Sequence, residues 1–167
     1  MTPGKVAASE ARSGTWLTAI RFYLALTVVG HLIWEALQLP LYTIWVTGTA
    51  REQAFAVVHC TGGDVLIALS GLIAALVLIG SNDWPQAAFA RVAALALTIG
   101  VLYTTFSEWL NVAVRASWAY SPNMPIVPLL GARIGLAPLL QWIIVPAIAF
   151  ALSRVLSRPV SSPVGQP

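Results

Sequence analysis

Apolar residues fill this chain in four long blocks, and the polar residues inside those blocks recur at helical spacing. The first block covers about residues 20–39 and carries Thr27, His31, Glu35 and Gln38 on one face. Its roughly 20 residues at about 1.5 Å each match a bilayer core of about 30 Å. Pro40 ends or kinks it. Residues 41–53, with Tyr42, Trp45, Thr47, Gly48, Arg51 and Glu52, suit an interfacial connection. The second block, 54–79, is interrupted by His59, Cys60, Thr61, Gly62, Gly63 and Asp64. Its glycine pair is expected either to let helices approach closely or to break the helix toward a cavity. After a turn at 80–86, the third block, 87–114, bears Gly100, Thr104, Ser107, Glu108 and Asn111 as a polar stripe. Residues 115–135 contain Trp118, Tyr120, Pro122, Pro125 and Pro128, too broken to span and long enough to form a lid or an interfacial cap. The fourth block, 136–156, opens with Gln141 and Trp142 and contains Pro146, which should kink it. Residues 1–14 and 157–167 read as tails, the first of them mobile.

The pattern predicts an all-α polytopic membrane protein. Residues 1–167 form a single membrane domain, a four-transmembrane-helix bundle. Composition agrees: 58% of residues are hydrophobic and 9% charged, against about 25% charged in a soluble domain. The lipid bilayer is therefore the first expected partner. A net charge of +3 with no basic run excludes a nucleic-acid footprint. The single cysteine, Cys60, excludes an intramolecular disulfide and any CxxC motif. The first block is too long for the apolar core of a signal peptide and carries His31 and Glu35, so no cleaved leader is expected. Lys5, Arg12, Arg21, Arg91, Arg154 and Arg158 fall on the side of the tails, against Arg51, Arg115 and Arg133 opposite. That bias predicts a bacterial inner membrane location with both termini cytoplasmic.

With that orientation, the late residues of helices one and three meet the early residues of helices two and four. His31, Glu35, Gln38, His59, Asp64, Glu108, Asn111 and Gln141 then all lie between mid-bilayer and the outer surface. They predict one outward-facing polar pocket. Single Gln, Asn, Ser or Thr residues can serve only as interhelical glue, at about 0.6 kcal/mol per hydrogen bond. Trp45 and Trp84 suit a belt of interfacial anchors. Two histidines and three acids in one half of a small bundle exceed what packing needs.

Three chemistries remain open. In the first, His31 and Glu35 share a proton, with Asp64 and Glu108 as further acids, so that the site works by acid/base catalysis and needs no cofactor. Gln38, Trp34, Asn111, Trp118, Tyr120, Gln141 and Trp142 would bind the ligand, and the indoles offer π faces to a cationic intermediate. The second is a zinc or iron site built from His31, Glu35, His59 and Asp64. His59 and Asp64 are about 140° apart on a regular helix, so it requires a backbone distortion at the glycine pair. The third is proton or ion movement, against which stands the lack of ionisable groups continuing to the cytoplasmic side. A small-ligand-binding subunit without catalysis, a structural accessory protein and a homo-oligomer also fit the stripes.

The pattern His31-Leu32-x-x-Glu35, followed by Glu108 on a later helix and Trp142 on the last, resembles the emopamil-binding-protein (EXPERA) family. Sterol isomerases of that family use an intramembrane His, two Glu and a Trp, and its sigma-2-receptor branch has four spans in a chain of similar size. The resemblance implies His31 and Glu35 as proton shuttles, Glu108 as the second acid, and a sterol-like or terpenoid hydrophobic substrate for an isomerase- or cyclase-type enzyme. The stretch Cys60-Thr61-Gly62-Gly63-Asp64 stands outside the family pattern, and His31 falls on the first helix rather than the second.

Overall fold

The computed structural model describes residues 3–129 and 131–157, with side chains in the first helix described from Thr15 onward. Residues 1–2 and 158–167 of the two expected tails lie outside the described residues. Helix α1 (Pro3–Gln38) begins well before residue 20, so that 3–14, read above as a tail, are helical. Pro3 fits a first turn because its missing N–H has no partner there to lose. A single 3₁₀ turn, Leu39–Leu41, carries Pro40 and closes α1.

A short helix α2 (Ile44–Thr47) leads into α3 (Ala50–Ile79), which starts four residues earlier than hydropathy alone suggests. The cause is a capping box: Thr49 accepts from the Glu52 backbone N–H while the Glu52 carboxylate accepts from Thr49. Gly62 and Gly63 do not interrupt α3. Nor do they seat a neighbouring helix, since a Cβ at either position would meet nothing within 4 Å. Each glycine costs about 1 kcal/mol relative to alanine, but breaking a helix in hydrocarbon would strand backbone groups at several kcal/mol each.

Helix α4 (Phe89–Glu108) ends in a wider π-helical turn, Trp109–Val114. The irregular connection then holds an unanticipated hairpin, β1 (Ile126–Leu129) against β2 (Ala132–Gly135), with Ile126 opposite Gly135. Gly131 supplies its left-handed turn residue, with φ of +81°. Pro128 is tolerated because an isolated two-stranded ribbon has unpaired outer edges. Helix α5 (Leu136–Leu156) continues through the buried Pro146.

The four long helices are each long and apolar enough to cross a membrane. They form a closed ring in the order α1, α3, α4, α5, with α1 packed most extensively on α5. Exposed Leu37, Val77 and Leu78 fit a lipid-facing surface. The end of the bundle near the start of α1 is packed by apolar and small side chains, including Ala19, Leu72, Ala75, Val92, Ala96 and Phe150. Trp84 belongs to this core, buried at 2% exposure and stacked beside Phe89. It is not the belt anchor expected from its place in a loop; Trp45, 51% exposed, remains suited to that role. Apart from Ser153 and Ser157 near the end of α5, the buried polar side chains gather from mid-bundle toward the opposite end.

Candidate functional site

Helical spacing on α1 aims Thr27, His31, Glu35 and Gln38 into the bundle, where all four are buried. Asp64 of α3 reaches across the interior to α5, accepting from Gln141 Nε2 at 2.9 Å and from the Trp142 indole N–H at 3.2 Å. His31 Nδ1 lies 3.2 Å from Asp64 Oδ2 and 2.9 Å from Gln141 Nε2. Gln141 also donates to Glu35 at 3.0 Å, and Gln38 donates both to Glu35 at 2.8 Å and to the Gln141 carbonyl at 3.1 Å. The Trp142 ring packs 5.0 Å from that of His31. Three helices thus close one polar group around His31.

Two glycines make the closure possible. A Cβ on Gly100 of α4 would stand 2.1 Å from the Trp142 ring, and one on Gly30 of α1 would stand 2.6 Å from Val145. Any side chain at Gly100 would push the indole away from Asp64.

Hydrogen counting shows what the group can do. An amide nitrogen carries two hydrogens, yet Gln141 Nε2 faces three acceptor atoms, on His31, Glu35 and Asp64. One of those three contacts is therefore not a hydrogen bond donated by Gln141, and a His31 Nδ1–H directed at Asp64 instead of toward the amide accounts for it. On that short His31–Asp64 edge either group can bear the proton. The Glu35 carboxyl lies beside Asp64 as well. The arrangement can hold, share and hand on a proton.

A cavity of about 1160 Å³ opens beside this group. Glu35 and Gln38 line it, with His31, Asp64, Gln141 and Trp142 behind them. Phe55, Leu66, Ile67 and Ile99 give it an apolar wall between α3 and α4. Glu108 faces the same cavity from α4 together with Asn111 and Trp118. Glu108 accepts a very short hydrogen bond from the Tyr120 hydroxyl, which in turn accepts from the Gly135 N–H at 2.9 Å. Segment 119–121 is tied to 40–43, with the Thr43 N–H donating to Ala119 O at 2.9 Å and the Ser121 N–H donating to Leu41 O at 2.9 Å. The long connection thus borders the cavity through Ser117 and Trp118, not through the hairpin.

Sequence reasoning places some residues differently. Trp34, taken as a ligand contact, donates to Gln38 Oε1 at 3.2 Å and does not line the cavity. His59 lines the cavity but is exposed and stacked on Phe55, 5.3 Å between ring centroids. Because α3 runs unbroken through Gly62 and Gly63, His59 and Asp64 keep their divergent directions. The proposed metal set of His31, Glu35, His59 and Asp64 does not assemble, and among the described residues no group of three or more His, Cys, Asp or Glu is arranged to hold a metal.

Tyr42, in a stretch whose pattern suits an interfacial connection, lines the cavity and packs its ring 5.6 Å from Tyr120. Burial, with Glu108 nearby, holds the Tyr42 phenol well above its ordinary pKa, and burial with the Glu108 charge does the same for Tyr120. Cys60 also lines the cavity. Compared with protein-family models, with curated proteins and with solved structures, the chain matches none.

Proposed function

We propose that this integral membrane protein acts by proton transfer on a hydrophobic substrate that enters the cavity from the bilayer. One observation supports the reading: a buried cluster of His31, Asp64 and Gln141 stands directly behind a carboxyl, Glu35, that lines a large cavity with an apolar wall. Glu35 is the group that touches substrate. His31 and Asp64 reload it, Gln141 and Trp142 fix their positions, and Glu108 across the cavity is the second acid. Water-poor surroundings strengthen each of these interactions. The resemblance to the emopamil-binding-protein family in His31, Glu35, Glu108 and Trp142 favours a sterol-like or terpenoid substrate and an isomerase- or cyclase-type reaction. The bias of Lys and Arg toward the side of the termini favours a bacterial inner membrane with both tails in the cytoplasm and the cavity facing outward. Reporter fusions at residues 81–84 and near Asn123 test this orientation, with cytoplasmic signal expected only from the first.

Protein in nanodiscs, incubated in D₂O with a panel of unsaturated sterols and terpenoids, tests the chemistry. Mass spectrometry should find deuterium on carbon in one of them, lost in Glu35→Gln. A second reading, ligand binding without catalysis, is favoured by the mutual satisfaction of Gln38, Gln141 and Glu35. Saturable binding of a panel member with no deuterium incorporation would select it.

A further inference from the structure

The polar face of α1 does not stop at His31. Thr27 lies one turn before it and Tyr23 one turn before that, with exposures of 0% for His31, 0% for Thr27 and 1% for Tyr23. Both His31 Nε2 and Thr27 Oγ1 are buried with no protein hydrogen-bond partner. Tyr23 approaches Thr27 from the turn below without completing a well-formed bond, its ring held 4.2 Å from that of Phe150. Two unpartnered polar atoms at full burial, side by side on one helix face, are rare in folded proteins.

We infer that Thr27 and His31 bind a buried water molecule between Oγ1 and Nε2, the ring nitrogen that does not face Asp64 and Gln141. Side chains four apart on a helix have Cβ atoms about 5–6 Å apart. A water making two hydrogen bonds of about 2.8 Å each can join polar atoms on side chains so placed. The chemistry of the ring selects water over a fixed donor or acceptor. When Nδ1 carries the proton toward Asp64 in the neutral ring, Nε2 is a bare acceptor; when the ring is Nε2–H or doubly protonated, Nε2 is a donor. Only a partner that can donate and accept serves His31 in every state the Asp64 and Gln141 contacts allow, and water does both. Thr27 is therefore a positioning residue. Its hydroxyl anchors the water, and the water holds the imidazole plane while the proton on the other nitrogen moves. The inference rests on the packing around His31 and does not depend on what occupies the cavity.

Solid-state NMR on ¹⁵N-histidine-labelled protein in lipid bilayers tests it. The protein has two histidines, and the His59→Gln variant assigns the remaining signals to His31. Magnetisation transferred from water protons should reach His31 Nε2 in the wild type and in Thr27→Ser. In Thr27→Val, which keeps the shape and removes the hydroxyl, that transfer should be lost, with a shift of the Nε2 resonance. No transfer to Nε2 in the wild type would overturn the inference, whatever the fate of the valine variant. Transfer of equal strength in Thr27→Val would also overturn it, since Thr27 would then not hold the water. A negative result in the D₂O experiment, beside a positive one here, would remove the catalytic reading and leave the water site standing.

Discussion

Glu35 and Glu108 are buried acids facing one cavity, and they are held in opposite ways. Glu35 is enclosed by side chains that belong to helices: Gln38 from its own next turn, Gln141 from α5, and Asp64 beside it from α3. Glu108 is held by a connection, through the hydroxyl of Tyr120, which also fastens Gly135 at the root of the hairpin. The geometry of the first acid is a property of the packed bundle. The geometry of the second depends in part on residues of the connection. Under the proposed function the first mounting would serve as a fixed proton reservoir and the second as an adaptable wall.

Asp64→Ala should separate the two mountings by the largest effect. The side chain is an acceptor for Gln141, Trp142 and His31 at once, and losing one partner of a buried charged group costs about 3–5 kcal/mol. Denaturant unfolding in detergent should show that loss, while Glu108→Ala falls well short of it; equal losses would erase the distinction between the two mountings. A smaller effect is expected from Gly100→Ala, which overlaps the Trp142 ring. Overpacking of this kind costs about 1–3 kcal/mol. Tryptophan emission should shift as the indole leaves Asp64, and hydrogen exchange at Gly135 should stay as in the wild type. An unshifted spectrum would mean that Gly100 does not seat the ring.

The smallest effect concerns the loop-held acid and its pH dependence. Tyr42 and Tyr120 have folded pKa values raised above the ordinary phenol value of about 10. Between that value and the raised one the folded state binds more protons than the unfolded state. The stability they contribute is therefore complete below pH about 10 and is lost as pH climbs toward the folded pKa values. In an absorbance titration of the folded protein, Tyr120→Phe should leave the tyrosinate step near pH 10 unchanged in amplitude. A smaller step in that variant would show Tyr120 titrating normally, and with it a loose or absent contact to Glu108.

The stripe His31, Glu35, Gln38 was legible because hydrocarbon makes buried polar groups expensive, so their spacing alone marks an inward face. Asp64 and Gln141 were legible as members of the same layer once the helices were taken in order. The spans were legible for the same reason, apart from their ends. Hydropathy is blind to a capping box, which is why the start of α3 at Thr49 and Glu52 was missed, and to helix continuing into polar sequence, as it does over 3–14. Gly62 and Gly63 misled because glycine signals either contact or breakage, and here the membrane environment sustains the helix through both. The glycine that does seat a ring is Gly100, and nothing in the chain distinguishes it until Trp142 is seen against it. The role of Tyr42 depended on how residues 40–43 pair with 119–121, a long-range contact with no local signature. The hairpin at 126–135 was hidden by prolines that an edge position tolerates.

Cross-linking tests whether the helix-held and the loop-held acid share one cavity. Gln38 and Asn111 line that cavity from α1 and α4, whereas Leu37, 74% exposed, turns toward lipid. With Cys60 replaced by serine, a short bifunctional thiol reagent should link Gln38→Cys to Asn111→Cys more efficiently than it links Leu37→Cys to Leu110→Cys. Neighbouring positions on a helix are rotated by about 100°, so the two pairs sample different faces at nearly the same depth. Equal or better linking of the leucine pair would mean that Glu35 and Glu108 face different surroundings, and the two acids would no longer form one site.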